Sequence, residues 1–263
     1  MTRNAFDLTG KVVLVTGANN GLGLGFARGL AKAGADVVIQ GRRADRNEAA
    51  AADLRQYGRR VMAQQVDVSD ETQVRRSFAE AIEAMGRVDG FIANAGINIA
   101  APSFVDMTMA DYRQVMAVNL HGAIYGLHEA VRHMRARFDK EGVGGSLIAC
   151  GSLSVTAGVP RIQPYAGAKG GLLTAIRAIA VEYGPYDIRA NMVSPGRIAT
   201  DLGGPNAISA EERAARGRAI PIPRQGTPED CAGIVVYLMS DAARYHTGTN
   251  CQVDGGLSVA LPQ

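Results

Sequence analysis

Tyr165-Ala166-Gly167-Ala168-Lys169 sets a phenol and an amine four residues apart. On a helix that spacing stacks them on one face. Of the eight tyrosines only Tyr165 has a lysine four residues later. A tyrosine near pKa ~10 is a poor base at neutral pH. One fixed positive charge at ~4 Å and an effective dielectric of ~20 is worth about 4 kcal/mol, roughly 3 pK units. Lys169, helped by the positive charge of an oxidised hydride carrier, is therefore expected to bring Tyr165 toward neutrality, where general acid–base catalysis works best. Ser152 follows the apolar run 146–151 and precedes the same helix. Its hydroxyl is placed either to hold a substrate oxygen or to cap a helix. A proton donor–acceptor beside a bound oxygen is what the interconversion of an alcohol and a carbonyl requires, given a hydride carrier on the other side.

A place for that carrier stands near the start of the chain. Val12-Val13-Leu14-Val15 runs into Thr16-Gly17-Ala18-Asn19-Asn20-Gly21-Leu22-Gly23. This reads as a buried strand turning through glycines into a helix, with backbone N–H groups and a positive helix end aimed at a diphosphate. The spacing is G-x-x-x-G-x-G and not G-x-G-x-x-G, since Gly23-x-Gly25 is followed by Arg28 where a glycine is needed. Gly17 is expected to make the turn, Gly21 to let backbone approach the pyrophosphate, and Gly23 to allow close helix–strand packing. The second strand ends Gln40-Gly41-Arg42-Arg43, without the acidic residue that binds both ribose hydroxyls of NAD. A small neutral residue followed by a cation suits a 2′-phosphate, so NADP(H) is favoured with NAD(H) left open. The alternative reading is two solvated arginines at a helix start capped by Asp45.

These residues need a sheet to hold them. Short Val/Ile runs at 11–16, 36–40, 60–65, 90–93, 146–151, 189–193 and 250–253 read as strands. Helical stretches at 23–33, 44–57, 71–85, 110–138, 165–183 and 228–240 lie between them. That alternation predicts an α/β fold with a mostly parallel seven-stranded sheet covered on both faces. No linker or repeat divides the 263 residues, so one domain over 1–263 is expected. The stretch about 197–225 breaks the rhythm, with Gly203-Gly204-Pro205 at one end and Pro221-Ile222-Pro223 at the other. It is read as a substrate lid after a strand's carboxyl end, or as a surface excursion carrying one helix at 210–218.

With these motifs in order the chain resembles a short-chain dehydrogenase/reductase over essentially its whole length. Thr16–Gly23 resembles that family's cofactor turn, through Gly17, Asn19, Asn20, Gly21, Leu22 and Gly23. Asn94-Ala95-Gly96 resembles its N-A-G motif, with Ala93 where a second Asn is frequent. The resemblance implies a doubly wound Rossmann-type domain and an NAD(P)-dependent oxidoreductase. It implies a catalytic set of Asn119, Ser152, Tyr165 and Lys169, with Asn119 binding water in a proton relay through the lysine. It places Asp67 and Val68 at the adenine, Arg42 at the ribose, Tyr165 and Lys169 also at the cofactor, and Pro195, Gly196, Ile198 and Thr200 beside the nicotinamide. Softer similarity points to gluconate-type and deoxygluconate-type sugar-acid dehydrogenases. Gln163 and Ser154 would then bond a polyol, or else satisfy backbone groups. The lid arginines Arg213, Arg216 and Arg218 would meet a carboxylate, or form a solvated face. Reduction of 3-oxoacyl chains or cyclic ketones, and a non-catalytic dinucleotide sensor, stand as alternatives. The family's fourth and fifth helices usually make a tetramer interface, so a homotetramer is expected.

Composition excludes other classes. Formal charge is +3 with pI ≈ 8.8, and basic residues are spread along the chain, which does not suggest nucleic-acid binding. Cys150, Cys231 and Cys251 are widely spaced and apolar in context, so reduced buried thiols are expected. His121, His128 and His133 share a helical stretch without an i+4 pair, so no metal is expected. No signal peptide is read in Met1–Thr9 and no apolar run reaches ~18 residues, giving the expectation of a cytoplasmic protein with a small-molecule substrate and no membrane partner.

Overall fold

The computed structural model describes residues 4–200 and 209–260, apart from the side chains of Ala210, Arg213 and Ala214. β1 (Val12–Thr16), β2 (Asp36–Gly41), β3 (Val61–Gln65), β4 (Gly90–Ala93), β5 (Gly145–Cys150), β6 (Ile188–Pro195) and β7 (Asn250–Val253) form one sheet. All pairings are parallel, in the order β3-β2-β1-β4-β5-β6-β7. β1 and β4 are buried at every position, as unbroken apolar strands at the middle of a doubly covered sheet must be. The helices are α1 (Gly21–Lys32), α2 (Ala44–Arg55), α3 (Glu71–Met85), α4 (Met109–Met116), α5 (Gly122–Glu141), α6 (Gln163–Tyr183), α7 (Ala210–Arg218) and α8 (Ala232–Met239).

The period of two along each strand divides the core between two layers. Val13 and Val15 pack with Phe26 and Leu30 of α1, Leu54 of α2 and Val235 of α8. Val12 and Leu14 pack on the opposite face with Phe78 of α3, Leu127 of α5 and Ile176 of α6. Each such fully buried side chain is worth about 1.5–3 kcal/mol. Phe91 occupies the space left by Gly126 of α5, where a Cβ would lie 2.3 Å from the ring. The chain runs from β1 outward to β3, then crosses back to β4 on the other side of β1. The carboxyl ends of β1 and β4 therefore flank the crevice where such sheets bind ligands.

The seven-stranded sheet and the short helix at 210–218 agree with expectation, and three features differ. The helix expected over 110–138 is two helices joined by a π turn, Ala117–His121, in which Gly122 N–H reaches back to the Ala117 carbonyl. The widened turn falls where the helix presses on the loop after β3, since a Cβ on Gly122 would sit 2.7 Å from the Val68 carbonyl. β6 runs to Pro195, two residues beyond the expected end, and pairs there with Val253. Asp45 is not a cap: Arg43 holds the N-cap position of α2 with no side-chain cap bond. The expected lid residues Gly203-Gly204-Pro205 lie outside the described residues. Among the described residues no helix is long and apolar enough to cross a membrane.

Candidate active site

The first strand-to-helix turn is built as its glycines demand. Gly17 and Gly21 have φ of +63° and +51°, the left-handed region that favours glycine. A Cβ on Gly23 would lie 2.3 Å from the Gly17 carbonyl and 2.9 Å from Ala18 Cα, so α1 can start against the strand only with glycine there. Asn20, the N-cap of α1, makes no side-chain cap bond, and the first turn carries no acid. The cap residue and first turn of α1 thus offer no side-chain acceptor to its first N–H groups beside the cleft. α3 is finished differently, with the Asp70 carboxylate accepting from Thr72 N and Gln73 N.

A polar latch holds that turn to β4. Thr16 Oγ1 accepts from the backbone N–H of Asn94 and of Ala95, both at 3.0 Å. Asn94 Nδ2 returns bonds to the carbonyls of Thr16 (2.9 Å) and Gly17 (3.1 Å). An open cleft of about 940 Å³ runs from this turn across the sheet's carboxyl edge. Its walls include Asn19, Asn20, Leu22, Arg42, Asp67, Val68, Asn94, Ala95 and Gly96, and at the far end Ser152, Tyr165, Lys169, Pro195, Gly196, Ile198 and Thr200. Every residue expected at the cofactor lines it. A glycine cradle that a Cβ would fill, a helix start free of carboxylate and a cleft of this length fit a nicotinamide dinucleotide.

β5 ends at Cys150, and Ser152 follows in extended backbone, its Oγ accepting from Ser154 N at 3.2 Å. Ser152 therefore caps the short turn Leu153–Val155 and lines the cleft as well. Pro164 enters the first turn of α6, where its missing N–H has no partner to lose. Tyr165 and Lys169 then stand one helical turn apart. Lys169 is buried, and its Nζ donates to the Cys150 carbonyl at 2.6 Å while lying 5.6 Å from the centre of the Tyr165 ring.

In the protein alone, burial governs the pair. Burial pushes the half-buried Tyr165 phenol above the ordinary tyrosine range, the Cys150 thiol adds to the rise, and the Ser152 hydroxyl opposes it. Burial pushes the Lys169 ammonium down and the Cys150 thiol up. With the ammonium committed to a carbonyl and the phenol desolvated, the protein by itself holds Tyr165 protonated.

Asn119 is set back from the cleft. It is completely buried inside the π turn and does not line the cleft. Its Oδ1 accepts from Ile97 N and its Nδ2 donates to Ile97 O, both at 2.8 Å. Both ends of the amide thus hold the loop after β4.

The cleft also has walls that sequence reading did not assign to the cofactor, among them Arg43, Asn98, Arg197, Arg216 and Gln225. Position beside Arg42 was the only available signal for Arg43, and Asn98 lies two residues past Gly96. Of the lid arginines, Arg216 reaches the cleft but pairs with Glu212 at 2.5 Å, Arg218 is exposed, and the Arg213 side chain lies outside the described residues. Asn98 Oδ1, Ser154 Oγ and Gln163 Oε1 are buried and, among the described residues, have no hydrogen-bond partner. Asn98 lines the cleft, whereas Ser154 and Gln163 are not part of its lining and stand two residues from Ser152 and Tyr165. Ala101 N donates to the Arg161 carbonyl at 3.2 Å, tying the segment after Asn98 to the one before Gln163.

The remaining titratable candidates are structural. His133 Nε2 accepts from Val88 N at 3.2 Å, and burial lowers its pKa. Cys150 and Cys231 are buried free thiols, whereas Cys251, expected buried, is only half-buried on the edge strand β7. Among the described residues no group of three His, Cys, Asp or Glu side chains could hold a metal ion.

Comparison with known proteins agrees with the geometry. A family model described as enoyl-(acyl carrier protein) reductase matches residues 17–258. The L-rhamnose 1-dehydrogenase (NAD(P)(+)) of Azotobacter vinelandii is 39% identical over 258 residues, 97% of this chain and 99% of that protein. A short-chain type dehydrogenase/reductase from Mycobacterium marinum superposes with a TM-score of 0.90 at 32% identity, over 97% of this chain and 98% of that one. The gluconate 5-dehydrogenase from Burkholderia cenocepacia, solved with NADP and tartrate, gives a TM-score of 0.90 at 32% identity, covering 98% of each chain. The cradle, the tyrosine–lysine helix and these matches make the chain an NAD(P)-dependent oxidoreductase of the short-chain dehydrogenase/reductase family.

Proposed function

We propose that this enzyme interconverts a polyhydroxylated, sugar-type alcohol and its carbonyl, using NADP(H), with Tyr165 exchanging the proton. The observation that carries the substrate class is the unpaired buried oxygen of Asn98, which lines the cleft, together with those of Ser154 and Gln163, each two residues from Ser152 or Tyr165. An unmade buried hydrogen bond costs about 1–3 kcal/mol. Three in one neighbourhood suit a ligand that brings several hydroxyls, and a hydrophobic cyclic ketone or acyl chain would leave them unmet. The names of the relatives, a rhamnose and a gluconate dehydrogenase, support the same class. The panel below distinguishes a C1 hydroxyl of an aldose from a secondary hydroxyl of a sugar acid.

When bound, the nicotinamide supplies or accepts the hydride. The glycine turn Gly17–Gly23 and the open start of α1 hold the diphosphate, and Asp67 and Val68 border the adenine. Arg42 meets the 2′-phosphate: Gly41 offers no carboxylate at the strand tip, and Arg42 and Arg43 are exposed at the cleft. Pro195, Gly196, Ile198 and Thr200 cover the nicotinamide end. Ser152 donates a hydrogen bond to the substrate oxygen. Tyr165, kept protonated by burial, gives its proton in reduction and receives one in oxidation. Lys169 supplies the positive charge nearby, and Asn119 positions the 96–98 loop through Ile97. The exposed Phe104, Met109 and Tyr112 on and before α4 support a homotetramer through that face, which sedimentation of the purified protein tests.

The test is a panel of aldoses, aldonates and hydroxyl-free cyclic ketones, followed by nicotinamide absorbance with NADP⁺ or NADPH. Turnover of an aldose or aldonate is expected, falling about 10³-fold or more in Tyr165→Phe, in the range of general acid–base catalysis. Turnover that survives Tyr165→Phe, or a preference for the hydroxyl-free ketones, would overturn the reading.

A further inference from the structure

Gly41 stands where an acidic residue would grip the ribose of NAD. Unlike Gly17 and Gly21, it does not have a positive φ, so its backbone does not require glycine. The space does. A Cβ on Gly41 would lie 2.5 Å from Asn19 Nδ2 and 2.5 Å from Asn47 Oδ1, two atoms that hydrogen-bond each other at 2.7 Å. Any side chain at 41 would be driven into the middle of that bond.

Asn47 is well placed to resist. It sits on α2, outside the cleft, and is only 2% exposed. Its Nδ2 donates to the carbonyls of Gly41 at 2.8 Å and Gln64 at 2.9 Å, so the amide is held at three points by β2, β3 and the glycine turn. Asn19, its partner, lines the cleft. Among the described residues the neighbouring Arg42 and Arg43 side chains make no ion pair.

We infer that Asn47 is a positioning residue for cofactor choice. Through its bond to Asn19 it closes position 41 to any side chain, carboxylate included, and leaves the adenosine ribose to Arg42 and Arg43. The inference rests on the NADP(H) reading above, but its steric part stands apart from charge and is tested apart from it.

Full-length protein is titrated with NADPH and NADH, reading nicotinamide fluorescence, with thermal unfolding of every variant alongside. Gly41→Ala adds only a methyl. It is expected to weaken both cofactors about tenfold or more, and Gly41→Ala/Asn47→Ala to recover most of that loss, the non-additivity expected of touching residues. A purely structural Asn47 would make the double variant worse than Gly41→Ala. Wild-type affinity in Gly41→Ala, or no recovery in the double variant, overturns the inference. Should Asn47→Ala fail to fold, Asn47→Ser in the Gly41→Ala background shortens the same side chain and must give the same recovery.

Charge is read with aspartate. Gly41→Asp alone should bind neither cofactor well, and Gly41→Asp/Asn47→Ala should bind NADH better than NADPH. Tight NADH binding by Gly41→Asp alone would show that position 41 was never closed. Wild-type protein that prefers NADH defeats the 2′-phosphate reading but leaves the alanine experiment to decide the closure.

Discussion

The two ends of the cleft are finished in opposite ways. At the glycine turn the buried polar groups answer one another: Thr16 with Asn94 and Ala95, Asn94 with Thr16 and Gly17, Asn19 with Asn47. Toward Tyr165, Asn98 on the cleft wall, and Ser154 and Gln163 next to the segments that carry Ser152 and Tyr165, each keep a buried atom without a partner among the described residues. A polar group satisfied within the protein maintains shape. One left unsatisfied costs stability, about 1–3 kcal/mol, unless something else completes it. The cofactor end is therefore a preformed mould, and the substrate end is a set of unmet bonds around one protonated phenol.

Mutations should separate the two ends. The largest effect belongs to Tyr165→Phe, which should remove turnover about 10³-fold while NADPH affinity, measured by fluorescence titration, changes little. If NADPH affinity collapsed too, Tyr165 would belong to the mould.

Next comes pH. Because burial raises the Tyr165 phenol, the free enzyme is protonated at neutral pH and ready for reduction. Oxidation needs the proton gone. kcat/KM for alcohol oxidation should thus rise with pH, up to about tenfold per unit, while that for reduction stays level and falls only in the alkaline range. A pH profile of both directions checks this; an oxidation profile flat from neutral to alkaline pH would contradict the raised phenol.

Thr16→Val keeps the shape but leaves the Ala95 N–H unanswered and the Asn94 N–H with only the Ile92 carbonyl, and should cost about 2 kcal/mol in urea unfolding with weaker cofactor binding. Smallest is the effect of Gln163→Leu on stability. Removing an unpaired oxygen should change the unfolding free energy by less than about 1 kcal/mol, with its consequence confined to KM. A large loss of stability would mean that Gln163 belongs with the satisfied groups.

The line between what the sequence revealed and what it hid follows the same physics. Gly17, Gly21 and Gly23 were legible because a tight turn acts on neighbouring residues, and Tyr165 with Lys169 because a helical turn is four residues long. The unbroken apolar run Val12 to Val15 foretold a strand covered on both faces. What stayed hidden depends on residues far apart in the chain. Lys169 finds the Cys150 carbonyl instead of the phenol, Asn119 clamps Ile97 from a π turn, and Asn47 closes position 41 across 28 residues through Asn19. None of these partners can be read from spacing.

The central claim is that the unpaired oxygens read substrate hydroxyls. It is tested most directly by kcat/KM for the best sugar and for analogues each lacking one hydroxyl, in wild type and Gln163→Leu. In wild type the analogue missing the hydroxyl that meets Gln163 should be poorer by about tenfold or more, and in Gln163→Leu that difference should vanish. Equal discrimination in both proteins, or none in either, would contradict the account.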